Sequence, residues 1–148
     1  MDLKAQADRY PVVTVGALVV SPKRRVLLVH THKWRGRWGV PGGKIEYGES
    51  VRCALLREFR EETGLRLTEI RRGPVQEAIE SPEFFKKRHF ILLNFIATCE
   101  SEQVELNDEA QQFAWADPEE ALTLDLNTPT RALIEFYLRH GFSTEVLT

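Results

Sequence analysis

The stretch from Ser50 to Gly64 constrains the fold of this chain more than any other. No Gly or Pro interrupts it between Ser50 and Glu62, and either residue inside a helix costs about 1–3 kcal/mol. Ser50 offers an N-cap oxygen, and Gly64 suits the left-handed backbone that closes a helix. Val51, Ala54, Leu55 and Phe59 form an apolar stripe, so this helix must bury one side. Glu58, Glu61 and Glu62 border the stripe within an arc of about 100°. Like charges at these spacings repel, and the helix dipole disfavours negative charge near the C-terminus. Local stability does not explain them, whereas a cation would. Grouped carboxylate oxygens suit Mg²⁺ or Mn²⁺, which keep several waters and accept phosphate oxygens. The competing reading is a solvated acidic helix end balanced by Arg57 and Arg60.

The remaining elements give this helix a sheet to cover. Val12 to Val20 and Arg25 to His30 are β-branched and apolar around the turn Ser21-Pro22-Lys23, which predicts neighbouring strands. Leu65 to Glu77 and His89 to Cys99 also read as extended, with Ser81-Pro82 between them. Phe113 to Ala116 makes a short strand, and Asp117-Pro118 opens a helical turn. A last helix, Thr130 to His140, is announced by Thr128 and Pro129 and stopped by Gly141. Its Ala132, Leu133, Phe136 and Tyr137 have core-facing spacing. With no repeat or linker, the pattern predicts one domain over residues 1–148, an α/β arrangement of a mixed sheet with helices on its faces.

Composition narrows the partners. A net charge of −2 argues against a nucleic-acid polymer or a membrane surface, which demand surplus Lys and Arg. The N-terminal MDLKAQADRYP lacks the apolar core of a signal peptide, and no apolar run approaches the roughly 20 residues of a membrane span. Cys53 and Cys99 are too few for a disulfide framework and read as reduced thiols, so the expected location is the cytoplasm. The sequence leaves the oligomeric state open, a homodimer included.

The loop ahead of the acidic helix carries Gly42, Gly43 and Gly48, which let the backbone bend and approach a ligand closely. Gly43, then Glu49, then Arg57-Glu58-Phe59-Arg60-Glu61-Glu62-Thr63-Gly64-Leu65 resembles the complete Nudix box, residues 43–65. Phe59 is bulkier than the usual aliphatic residue, a departure that concerns packing. Chance occurrence of the fixed positions is on the order of one in 10⁸ per starting position. The resemblance implies an α/β/α sandwich with a central mixed sheet. It also implies a Mg²⁺-dependent hydrolase, with Mn²⁺ as a substitute, that cuts the pyrophosphate bond of a nucleoside diphosphate derivative.

Carried onto this chain, the resemblance makes Glu58, Glu61 and Glu62 metal ligands, with the Gly43 carbonyl as a further oxygen. Arg57 would orient Glu58, and Glu49 would support the cluster from the loop. A further carboxylate outside the box is nominated as Glu109, with Asp108 and Glu105 as rivals. For substrate, Arg35 and Arg37 have the fork geometry that suits phosphate, and Lys33 lies beside them. Trp34, Trp38, Phe84 and Phe85 offer aromatic faces to a base or to the core. Pro82 lies near the spacing of a proline that resembles an ADP-ribose pyrophosphatase marker, so ADP-ribose or a similar nucleotide sugar is the leading expectation. A pyrophosphatase of the MutT type acting on (d)NTPs is second. The rival from another class is a nucleotide-binding Nudix module without turnover, which has no need of the full set of box carboxylates retained here.

Overall fold

The architecture is taken from a computed structural model, which describes residues 10–148. Residues 1–9, and with them most of MDLKAQADRYP and the start of the expected domain, lie outside the described residues. Strand β1, Val12–Val20, is the hub of the sheet. It runs parallel to β6, His89–Cys99, in unbroken register from Val12↔Phe90 to Val20↔Thr98. Along its other edge β1 serves two antiparallel partners in turn. Its end meets β2, Val26–His30, at Val20↔Val26. Its beginning meets β4, Gly42–Lys44, through Thr14↔Lys44, Val15↔Gly43 and Gly16↔Gly42.

The outer strands complete a mixed sheet. β5, Leu67–Ile79, lies antiparallel to β6, with irregularities between Leu67 and Ile70 and between Arg72 and Val75. β7, Gln112–Ala116, and the two-residue β3, Trp38–Gly39, both pair with β2. The strands expected from sequence recur with small shifts at their ends. β3 and β4 were not foreseen, because Trp-Gly and Gly-Gly-Lys are too short to carry an alternating pattern.

Alternation along the strands divides the core between two layers of helix. Val15, Ala17, Val19 and Leu27 face one side, against Ala54, Leu55 and Phe59 of helix α1, Val51–Thr63. Leu18, Val20, Leu28 and Ile96 face the other, against Leu133 and Ile134 of helix α3, Thr128–His140. A short helix α2, Pro118–Ala121, contributes buried Ala121 to that second layer. The result is an α/β/α sandwich. Helix α3 starts two residues earlier than its apolar pattern indicated, because the Asn127 side chain accepts from Thr130 N at 2.9 Å and caps it. Its buried face turns on Thr130, Leu133 and Ile134, with Phe136 and Tyr137 only partly covered.

Both cysteines are free thiols, Cys53 exposed and Cys99 buried. Among the described residues no helix is long and apolar enough to cross a membrane.

Candidate active site

The two ends of α1 have the geometry their sequence demanded. Ser50 Oγ accepts from Cys53 N at 3.1 Å, and Gly64 closes the helix at φ 72°. On the helix, Glu58 and Glu62 lie about 40° apart, whereas Glu61 lies about 60° from Glu58 on the other side. Glu58 and Glu62 are consequently drawn into the buried face, at 9% and 8% exposure. Glu61 remains open, its side chain 53% exposed.

A helix end leaves carbonyls without intrahelical partners, and here the chain between β6 and β7 supplies donors. Glu105 N donates to Thr63 O at 2.9 Å and Asn107 N donates to Glu62 O at 3.3 Å. This fastening carries Glu109 to the buried carboxylates, so that oxygens of Glu58, Glu62 and Glu109 all lie within 4.8 Å of one another. Neither Asp108 nor Glu105 belongs to this group. Burial first, then hydrogen bonding with Glu109 and Glu58, pushes the Glu62 carboxyl up to about 10. Three carboxyl groups in so small a space hold a proton or a cation. A divalent cation fits this all-oxygen set, and metal binding would displace the proton.

Arg57 ties the acidic residues together. Its Nε and Nη2 donate to Glu49 Oε2 and Oε1 at 2.6 and 2.8 Å, a bidentate pair. Nη1 donates to Glu58 Oε1 at 3.0 Å and to Glu61 Oε2 at 3.3 Å. Nη2 also reaches Lys44 O at 3.1 Å, which links helix to loop. The hydrogen bond from Arg57 holds the Glu49 carboxyl down at about 2, while Glu49 and Glu58 raise the Arg57 guanidinium above its ordinary value. At Gly43 the backbone passes so close to Glu58 that a Cβ would fall inside its carboxylate. The neighbouring Gly42 N donates to Glu62 Oε2 at 3.1 Å.

Gly42 and Gly43 also line a pocket on the opposite, α3-facing side of the sheet. Trp34, Phe84, Asn94 and Asn127 form part of its wall, and Lys33 and Lys44 supply positive charge. Phe84 is buried and meets Trp34 and Phe90 edge-on, with centroids 5.0 and 4.9 Å apart. Phe85 is exposed, with Lys86 Nζ 5.0 Å from its ring centre. Trp38 belongs to the core under α3.

The two arginines expected near phosphate are directed elsewhere. Arg35 Nε donates to the Phe84 carbonyl at 3.1 Å. Arg37 Nε lies 3.9 Å from both Glu83 and Asp125, acids remote in sequence. Neither lines the pocket. Asn94 and Asn127 line the pocket, and Asn94 Nδ2 donates to Gln76 Oε1 at 2.6 Å, but none of the three stood out in the sequence. A lone Asn within the apolar run of β6 was the one signal that could have pointed to them.

Comparison with known proteins agrees with this geometry. The model of the NUDIX domain family matches residues 10–137, and the chain belongs to the Nudix family. Nucleoside triphosphatase NudI of Escherichia coli strain K12 is 37% identical over 102 residues, which cover 65% of this chain and 72% of that protein. The crystal structure of a MutT NUDIX hydrolase from Burkholderia pseudomallei is 27% identical with a TM-score of 0.73, covering 86% of this chain and 98% of the other. The NUDIX domain of Shewanella oneidensis NrtR, solved with ADP ribose, has a TM-score of 0.75 at 22% identity, covering 94% and 92%. That last likeness concerns the fold alone. The protein is a Nudix pyrophosphohydrolase, and the reading of a binding module without turnover falls away.

Proposed function

We propose that the protein hydrolyses a nucleoside triphosphate to the monophosphate and pyrophosphate, using Mg²⁺ or Mn²⁺ held by the acidic cluster of α1, with Glu109 as the proton acceptor. One observation carries this reading. The carboxylate cluster and the pocket lie on opposite sides of the sheet yet share Gly42 and Gly43. A nucleoside seated in the pocket would present its phosphates across this glycine pair to the cluster. The relative NudI, named a nucleoside triphosphatase, supports the triphosphate.

Glu58, Glu61 and Glu62, with the Gly43 carbonyl, would hold the cation. When bound, such a cation neutralises pyrophosphate charge and lowers the pKa of a coordinated water. Arg57 keeps Glu58 in place, and Glu49 keeps Arg57 in place, which preserves the geometry between turnovers. Glu109 is the exposed member of the three clustered carboxylates, so it can take a proton from the attacking water and return it to solvent. Lys33 and Lys44 would meet the phosphates as point charges. A free nucleotide as substrate, like the two free cysteines, fits a cytoplasmic setting.

ADP-ribose is the second reading, favoured by the position of Pro82. A panel of nucleoside triphosphates and nucleotide sugars, assayed with Mg²⁺ and resolved by mass, separates the two. The expected result is a nucleoside monophosphate plus pyrophosphate. AMP plus ribose 5-phosphate from ADP-ribose, with triphosphates untouched, would replace this reading with the second. Inorganic phosphate as the sole first product would defeat both.

A further inference from the structure

We infer that Asn94 presents a fixed hydrogen-bond acceptor to the ligand in the pocket, and that the site therefore selects a nucleobase carrying an exocyclic amino group. The inference rests on the nucleotide reading above and deepens it.

Asn94 is a buried polar residue in the middle of β6. It lies beside Gly16 of β1 in the parallel register, and its Oδ1 is 3.6 Å from where a Gly16 Cβ would stand. A side chain at position 16 would cover this oxygen, and glycine leaves it open to the pocket. Side-chain amides can turn over, exchanging donor for acceptor, unless their surroundings forbid it. Here a chain of contacts forbids it. The Pro129 carbonyl at the start of α3 can only accept, and Gln76 Nε2 donates to it at 3.3 Å. Gln76 must then turn Oε1 toward Asn94, and Asn94 Nδ2 donates to that oxygen at 2.6 Å. With its amino group committed, Asn94 leaves Oδ1 as the atom facing the pocket. Among the described residues Oδ1 has no donor.

An acceptor that opens onto the pocket without a protein donor is left for a ligand N–H to meet. A base with a carbonyl in that place would set two acceptors against each other, a mismatch that binding sites reject strongly. Asn127, whose Oδ1 is occupied by the α3 cap, offers only Nδ2 to the same pocket, so an acceptor on the base can be met as well. Gln76 acts through Asn94 as a positioning residue.

Two pairs of nucleotides exchange an amino group for a carbonyl at one exocyclic position: AMP with IMP, and CMP with UMP. Their binding to the full chain with Mg²⁺, measured calorimetrically, tests the inference without requiring turnover. The wild type should bind the amino member of whichever pair it accepts at least about tenfold more tightly. Gln76→Leu frees the Asn94 amide to turn, and should bring that ratio to within about threefold by improving the carbonyl member. Gln76→Met serves if the leucine variant misfolds. Parity or reversed preference in the wild type, an unchanged ratio in folded Gln76 variants, or no binding of any of the four nucleotides would overturn the inference. Amino-selective binding without triphosphate hydrolysis would instead sink the proposed reaction while leaving this selectivity intact.

Discussion

At Glu62 the requirements of folding and of chemistry conflict. Its place on α1 takes the carboxyl into the buried face, where burial and two further acids favour its protonated form. Glu61, one residue earlier, stays in solvent and is held by Arg57. Glu61 is therefore the position that decides between a solvated acidic helix end and a metal-binding cluster. Glu61→Gln removes an exposed charge paired with Arg57, so metal-free stability should be unchanged apart from a few tenths of a kcal/mol. Its kcat should nevertheless fall by at least about 10²-fold, while Arg60→Gln should leave turnover nearly intact. Thermal melts beside kcat for both variants check this, and equal losses in the two would indicate damage to the fold instead. The box residues were legible in sequence because they are fixed by spacing within one helix and its loop. Arg37 was not, because the acids that engage it, Glu83 and Asp125, approach only once distant segments fold together.

Among the elements, the loop at Gly43 and helix α1 fit with no room to spare. Gly43 does not have a positive φ, so its backbone tolerates alanine, and the atoms nearest an added Cβ all belong to the Glu58 carboxylate. Gly43→Ala should fold, displace that carboxylate and lower kcat about 10²-fold, as misplacements near 1 Å do. Wild-type kcat in this variant would show that the contact does not position Glu58. A second joint fixes the β1–β2 turn to the chain after β6. Glu102 accepts from Ser21 Oγ at 2.7 Å and from Arg25 Nε at 2.9 Å, and its hydrogen bond to Arg25 holds the carboxyl down at about 2, against an ordinary 4.5. A carboxyl depressed in the folded state lends stability above its unfolded pKa, and that stability fades as pH falls through the folded value. The gap in melting temperature between wild type and Glu102→Gln should therefore be constant near neutrality and shrink between pH 4.5 and 2. A pH-independent gap would show that the charge contributes nothing. Sequence marked α1 to the residue, since Ser50 and Gly64 are local signals. Asn127 as the cap of α3 was not legible, because Thr128 and Pro129 carry a helix-start signal of their own one and two residues later.

In the whole molecule, the sheet separates the two halves of the proposed site. The carboxylates belong to the α1 side and the pocket to the α3 side, joined where β4 pairs with the beginning of β1. The sandwich could be read from the order of elements, because alternating strands and amphipathic helices require those layers. The pocket could not, since Gly16, Asn94 and Asn127 come from three parts of the chain and converge only in the fold. The central claim is that the cluster around Glu58 drives metal-assisted cleavage of a nucleotide pyrophosphate. Its most direct test is kcat of wild type and Glu58→Gln on the preferred nucleotide, with added Mg²⁺ and again with excess EDTA, alongside melting curves. Wild-type turnover should depend on Mg²⁺ and vanish with EDTA, and folded Glu58→Gln should be at least about 10²-fold slower. Full wild-type turnover in metal-free buffer, or wild-type kcat in Glu58→Gln, would contradict the claim.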